Sequence, residues 1–127
     1  MQTNVLLSIK PQFADKIFDG VKRYEFRRTL FKDRSVKKII VYASAPVSKV
    51  IGEFEVDGIL ELEKESLWNE TSEYSGIPKE YFDKYFQGRK VGYAIRIGTT
   101  HLYETPLELE NDFNIKHAPQ FFVYVFD

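Results

Sequence analysis

The chain has 127 residues, 43% of them hydrophobic and 29% charged, which is the composition of one folded domain and excludes a disordered or membrane-embedded chain. It contains no cysteine, so disulfides, thiol nucleophiles and Cys-based zinc sites are excluded. The formal charge of −1 conceals a split, because residues 10–38 carry a net +6 and residues 39–127 a net −7, and a basic face is therefore expected.

No basic segment followed by an apolar run opens the sequence, so no secretory leader and a cytoplasmic location are expected. Val5 to Ile9 is a short apolar run of strand length. Pro11 suits the first position of a helix, Phe13, Ala14, Ile17 and Phe18 recur at helical spacing, and Gly20 follows as a stop, which predicts a helix over Pro11 to Asp19. Lys22 to Arg28 then runs as a charged strand, with Tyr24, Phe26 and Arg28 on one face and Arg23, Glu25 and Arg27 on the other. Lys37 to Ala43 predicts a buried strand. Lys49 to Leu62 alternates as a half-buried strand, in which Gly52 marks a bend or bulge. Glu63 to Ser72 predicts a helix, and a loop at Tyr74 to Ile77 leads to a second one from Pro78. In that helix Tyr81, Phe82, Tyr85 and Phe86 read as an aromatic core stripe ended by Gly88. Val91 to Ile97 alternates strictly, Thr100 to Thr105 extends the sheet, Leu107 to Phe113 reads as a turn, and Pro119 to Phe126 as a terminal strand. Strands with helices inserted between them predict an α+β domain built on a small barrel or strongly bent mixed sheet.

The segment Gly20-x-Lys22-x-x-Glu25-x-Arg27 concentrates the chemistry. Gly20 lets the backbone turn sharply, and the strand that follows presents an ammonium, a carboxylate and a guanidinium within a few residues. Lysine and arginine suit a phosphate, while the carboxylate accepts from an exocyclic amine or a sugar hydroxyl. The competing reading is a surface strand with weak ion pairs. Lys10, just before a helix N-terminus, belongs to a second candidate anion site with Ser8. Ser44, in the small-residue run after the buried strand, and the loop Glu73-Tyr74-Ser75-Gly76 are further candidates whose alternative is ordinary turn chemistry. His101 and His117 have no metal-ligand spacing, and no phosphate loop, dinucleotide fingerprint or nucleophile elbow is present, so no metal and no cofactor are expected.

The runs Leu6 to Pro11 and Ile17 to Arg28 resemble the ASCH domain, a branch of the PUA-like superfamily. Val41 to Pro46, Val50 to Phe54, Tyr74 to Ile77, Gly92 to Ile95 and Ala118 to Gln120 fit the same family, so that the resemblance spans a single domain over residues 1–127. It implies a small mixed β-barrel flanked by about three helices, with a cleft for RNA, a nucleotide or a nucleoside. The subgroup is described as predicted transcriptional regulators or RNA-binding proteins. By motif position Lys22, Glu25 and Arg27 would line that cleft, with Lys10, Ser44, Tyr74, Ser75 and Tyr93 as further contacts.

Some ASCH proteins are amidohydrolases of N4-acetylcytidine, using a lysine in the G-x-K motif, a threonine three residues on and a later glutamate. Lys22 matches the lysine, Glu25 stands at the threonine position, and Glu73 is the candidate for the glutamate. A carboxylate beside Lys22 is expected to raise the lysine's pKa and keep it charged, which would make Glu25 the base. Three functions follow from this reading: an RNA- or nucleotide-binding regulatory domain; a metal-independent hydrolase of N4-acylcytidine or RNA; and a protein-interaction module whose acidic remainder meets a basic partner. No membrane partner is expected.

Overall fold

A computed structural model describes residues 2–126; residues 1 and 127, the ends of the expected domain, lie outside the described residues. Six strands and four helices follow one another as β1 (Thr3–Ile9), α1 (Pro11–Phe18), β2 (Tyr24–Arg27), β3 (Lys38–Ala43), β4 (Lys49–Glu63), α2 (Lys64–Thr71), α3 (Lys79–Tyr85), β5 (Val91–Leu107), α4 (Leu109–Phe113) and β6 (Phe122–Phe126), with a 3-10 turn at Ser72–Tyr74 before α3. The strands form one sheet in the order β2-β5-β4-β3-β1-β6. β1 and β3 are parallel, and every other neighbouring pair is antiparallel.

The parallel pair sits where both strands are apolar runs rather than alternating ones. Val5, Leu6, Leu7 and Ile39 to Ala43 are all buried, as strands covered on both faces must be. Phe13, Ala14, Ile17 and Phe18 of α1 pack into a core with Val5, Leu7, Ile39, Val41 and Phe54 on one face of the sheet. α2 and α3 bring Leu67, Phe82 and Phe86 against Phe26 and Ala94 of β2 and β5. The other face of β1 and β3 is covered by Tyr103, Leu107, Leu109 and Phe113.

β4 matches the expected Lys49 to Leu62 to within one residue, while β5 joins the expected segments Val91 to Ile97 and Thr100 to Thr105 into one strand that continues to Leu107. They stay paired from Val50 with Leu107 to Glu63 with Val91 through three irregularities of register, one of them at the expected position, Gly52. Each irregularity adds local bend and twist, so one long ribbon curls across the whole sheet. Gly52 also admits α1, because a Cβ there would stand 2.5 Å from the Phe18 ring and 2.6 Å from the His101 carbonyl oxygen. The segment expected as a turn at Leu107 to Phe113 closes instead as α4, ended by Asn114 in the left-handed region.

The expected barrel is not closed, and among the described residues four helices stand where about three were expected. The reason lies in the two edges. The edge strands are β2, four residues long, and β6, five residues long, and among the described residues no strand pairing joins them. The pairing of β1 with β6 runs only as far as Leu7 with Phe122, which leaves the Ser8 carbonyl free of a ladder partner on that side. Arg27 of β2 reaches across, and its Nη2 donates to that carbonyl at 3.0 Å. A side chain thus bridges the seam where a strand pair would have closed it.

Candidate functional site

After α1 the chain turns through Gly20 at φ +82°, and the amides of Val21 and Lys22 both donate to the Lys16 carbonyl, which directs Lys22 inward. Lys22 is only 2% exposed, although it is a lysine. Its Nζ donates to the Ser75 carbonyl at 2.6 Å and lies 4.8 Å from the ring centre of Phe26 and 5.5 Å from that of Phe13. The loop supplying the carbonyl is tied to the same strand, since the Arg23 amide donates to the Tyr74 carbonyl at 2.8 Å.

Gly76 makes the lysine's position possible. It has φ +70°, and a Cβ there would stand 2.6 Å from Lys22 Cβ and 2.7 Å from its Cγ. Gly76→Ala combines a strained left-handed alanine with a clash against a buried stem, and a loss of about 2–4 kcal/mol in denaturant unfolding is expected. Gly20→Ala, where nothing lies within 4 Å, carries only the conformational part. Equal losses in the two variants would show that the lysine stem is not held by Gly76.

Burial dominates the titration of Lys22. It lowers the pKa from 10.5 to about 8; Glu25 opposes the shift, and the positive charges of Lys16 and Arg27 add to it. The expectation that the neighbouring carboxylate would keep this lysine above its ordinary value is therefore corrected: the carboxylate acts in that direction, but desolvation outweighs it. At pH 7 about one Lys22 in ten is a neutral amine, against fewer than about one in a thousand for an ordinary lysine.

Glu25 is 7% exposed and is held by Arg27, whose Nη2 donates to Oε2 at 2.8 Å. The two are alternate residues of β2, so they share a face as the alternation predicts, while Phe26 between them turns into the core under α3. The Arg27 Nε is buried with no hydrogen-bond partner.

Lys22, Glu25 and Arg27 line one cavity of about 140 Å³, together with Ser8, Ile9, Lys10, Phe13, Phe26, Ile77, Tyr81 and Tyr85. A cavity of about this size takes a single six-membered ring. Lys10 stands at its rim, with Nζ 3.3 Å from the Tyr81 hydroxyl. The aromatic stripe of α3 divides: Phe82 and Phe86 are core, as expected, while Tyr81 and Tyr85 turn to the cavity, their rings 6.5 Å apart and nearly parallel. The signal was present in the residue types, since a tyrosine keeps its polar tip toward a wet surface where a phenylalanine does not. Burial raises the pKa of Tyr85, so its hydroxyl stays a donor, to the Phe26 carbonyl at 3.3 Å.

The other candidates, Ser8 excepted, do not line this cavity. Ser75 is buried and supplies its carbonyl, while its hydroxyl donates to the Ile77 carbonyl within the loop. Tyr74 is exposed beneath the Arg23 guanidinium, and Glu73 is exposed in the 3-10 turn. Ser44 is half-buried and uses its amide to bond the Ile9 carbonyl. Tyr93 lies across from Arg27 in β5, with the Arg34 guanidinium 5.8 Å from its ring centre. Ser8 lines the cavity, but its hydroxyl donates to the Pro119 carbonyl at 2.8 Å. Among the described residues no group of three or more His, Asp or Glu is placed to hold a metal, and no helix is long and apolar enough to cross a membrane.

The chain is similar to a large ribosomal subunit protein uL22 of Ureaplasma parvum, 26% identical over 121 residues that cover 95% of this chain and 39% of that protein. It is also similar to an ASCH domain-containing ribonuclease of Zymomonas mobilis, 30% identical over 83 residues covering 65% of this chain and 56% of the ribonuclease. The chain thus spans well under two-thirds of both relatives. The crystal structure of ASCH from Zymomonas mobilis superposes with a TM-score of 0.85 at 25% identity, covering 98% of this chain and 88% of that one. The ASCH domain model matches residues 7–101, a stretch that holds Lys22, Glu25, Arg27 and every other residue lining the cavity, and the chain belongs to the ASCH domain family.

Proposed function

We propose that this ASCH domain acts on RNA, taking one base of a single strand into the Lys22 cavity. The observation that carries the reading is a buried lysine set with a carboxylate and a guanidinium in a cavity of one-ring size. Tyr81 and Tyr85 supply the aromatic wall that a base requires, and Glu25 accepts from its amino or imino hydrogens. The ribonuclease among the relatives supports the choice of RNA. The test is fluorescence anisotropy with a short single-stranded RNA. Binding should weaken as salt rises and should fall at least tenfold in Lys22→Met. Unchanged affinity in that variant would remove the cavity from the account. A regulatory role in transcription would be one use of such binding.

Hydrolysis at the same cavity is a second reading, favoured by the lowered pKa of Lys22. Both reactions considered for this family, RNA cleavage and removal of an N4-acyl group from cytidine, need a base to take a proton from the attacking oxygen. A neutral buried amine supplies one near neutral pH. With Lys22 as that base, the rate rises with pH and levels off above about 8. Glu25→Gln removes the charge that raises the lysine's pKa and moves the midpoint to lower pH. A pH–rate profile whose midpoint stays fixed in that variant would show that Lys22 is not the titrating base.

A further inference from the structure

The cavity has room for one ring and not for the sugar and phosphates that come with it. What lies beside it is the seam between the two open edges of the sheet. There a groove of about 320 Å³ runs from the end of β2 to the start of β6. Arg27 and Tyr85 line both spaces, so the groove begins where the cavity ends.

Three arginines line this groove, Arg27, Arg28 and Arg89, and no acidic residue does. Arg27 is already paired with Glu25, but its buried Nε has no partner. Arg28 and Arg89 are exposed, and no carboxylate lies within ion-pair distance of either among the described residues. The Arg28 guanidinium lies over the Tyr85 ring at 5.0 Å, which fixes it at the junction with the cavity. Phe121, 58% exposed, lies at the β6 side of the groove with Gln120. The other large groove, by contrast, mixes Arg34, Lys37 and Lys38 with Glu55 and Glu61 and offers no surface of one sign.

We infer that this seam is a strand-extension subsite for single-stranded RNA: Arg28 and Arg89 hold the phosphodiester that leaves the cavity, and the next base stacks on Phe121. The inference rests on the proposal that a base occupies the Lys22 cavity, and it makes the ligand an oligonucleotide rather than a free nucleoside. The chemistry is that of single-strand recognition, in which cations track the backbone and an aromatic ring takes a base of any identity. The open edges of β2 and β6 thereby acquire a use, since a closed sheet would leave no channel there.

The test compares Arg28→Gln/Arg89→Gln and Phe121→Ala with wild type, using a short single-stranded RNA and, separately, a dinucleotide monophosphate and a nucleoside. All three side chains are exposed, so the variants should melt as wild type does. The double arginine variant should bind the RNA at least tenfold more weakly, and its log–log salt slope should flatten by about 1.4, or about 0.7 per lost contact. Phe121→Ala should weaken RNA by about tenfold. Nucleoside binding should be unchanged in both variants. If Lys22→Met loses RNA while the arginine and Phe121 variants keep wild-type affinity and salt slope, the seam is not a subsite although the cavity reading stands. If RNA binding is indifferent to Lys22 and to the seam residues alike, both fall together. If nucleoside and RNA weaken equally in the arginine variant, the effect is on the cavity and the extension is overturned.

Discussion

Lys22→Met should lose the RNA function and gain stability at neutral pH. The folded protein holds the lysine with a pKa of about 8, against 10.5 for an unburied lysine. The unfolded chain therefore binds more protons between these values, and wild-type stability rises with pH across that window. Below about pH 8 the ammonium is charged in both states, and its burial costs the fold about 3 kcal/mol relative to the neutral amine. Methionine matches the stem of lysine and carries no charge, so the variant escapes that cost while giving up a charge-assisted bond to the buried Ser75 carbonyl, worth about 2 kcal/mol. The expected net gain at pH 7 is about 1 kcal/mol, or a few degrees in melting temperature. The gap between variant and wild type should close as pH rises from about 8 to 10.5, because wild type gains what the variant already has. Thermal melts at pH 7 and pH 10 check both the size and the trend. A variant less stable than wild type at pH 7 would mean that the charge is better solvated than its burial indicates.

Arg27→Met should be among the most destabilising single changes in the domain. The Arg27 side chain is 14% exposed and that of Glu25 is 9% exposed, so removing the guanidinium strands a carboxylate in a nearly dry site. Breaking a buried pair from one side costs about 3–5 kcal/mol. The Ser8 carbonyl loses its donor as well, and the bridge across the seam goes with it. Lys22 offsets part of the loss. With Arg27 gone, one of the charges that lower the lysine's pKa is removed, and the ammonium becomes the remaining countercharge for Glu25. Adding Glu25→Gln should restore most of the stability, because the amide needs no cation. Urea unfolding of the two single variants and the double variant gives the coupling energy, and a double variant no more stable than Arg27→Met would show that the pair does not hold the fold.

These two changes act on the part of the chain that the sequence displayed most clearly. Gly20, Lys22, Glu25 and Arg27 are neighbours in sequence, and alternation alone puts Glu25 and Arg27 on one face of β2. The helices at Pro11 and Pro78 and the buried runs of β1 and β3 were legible for the same reason, since each is a local pattern. What the sequence did not display depends on partners far along the chain. The depth of Lys22 comes from Phe13, Phe26 and the Ser75 carbonyl, 53 residues away, and from the room left by Gly76. A charged residue beside a carboxylate gives no sign of such burial, and its sequence neighbours alone therefore point to the wrong direction of pKa shift. The turn of Tyr81 and Tyr85 toward the cavity, while Phe82 and Phe86 go to the core, follows from how α3 sits on β2. Periodicity marks such a helix as amphipathic but does not say what covers its second face. The open seam likewise lies between β2 and β6, the two ends of the strand order, which is a fact of topology rather than of any local pattern.

The most direct test of the central claim is to titrate the isotope-labelled protein with a short single-stranded RNA and map the backbone amides that shift. Perturbations should concentrate at residues 8–13, 22–28 and 77–85, the segments that line the cavity and begin the seam. Perturbations centred on residues 34–38 and 55–61 instead, around the groove lined by Arg34, Lys37 and Glu55, would contradict this and assign the binding to that groove.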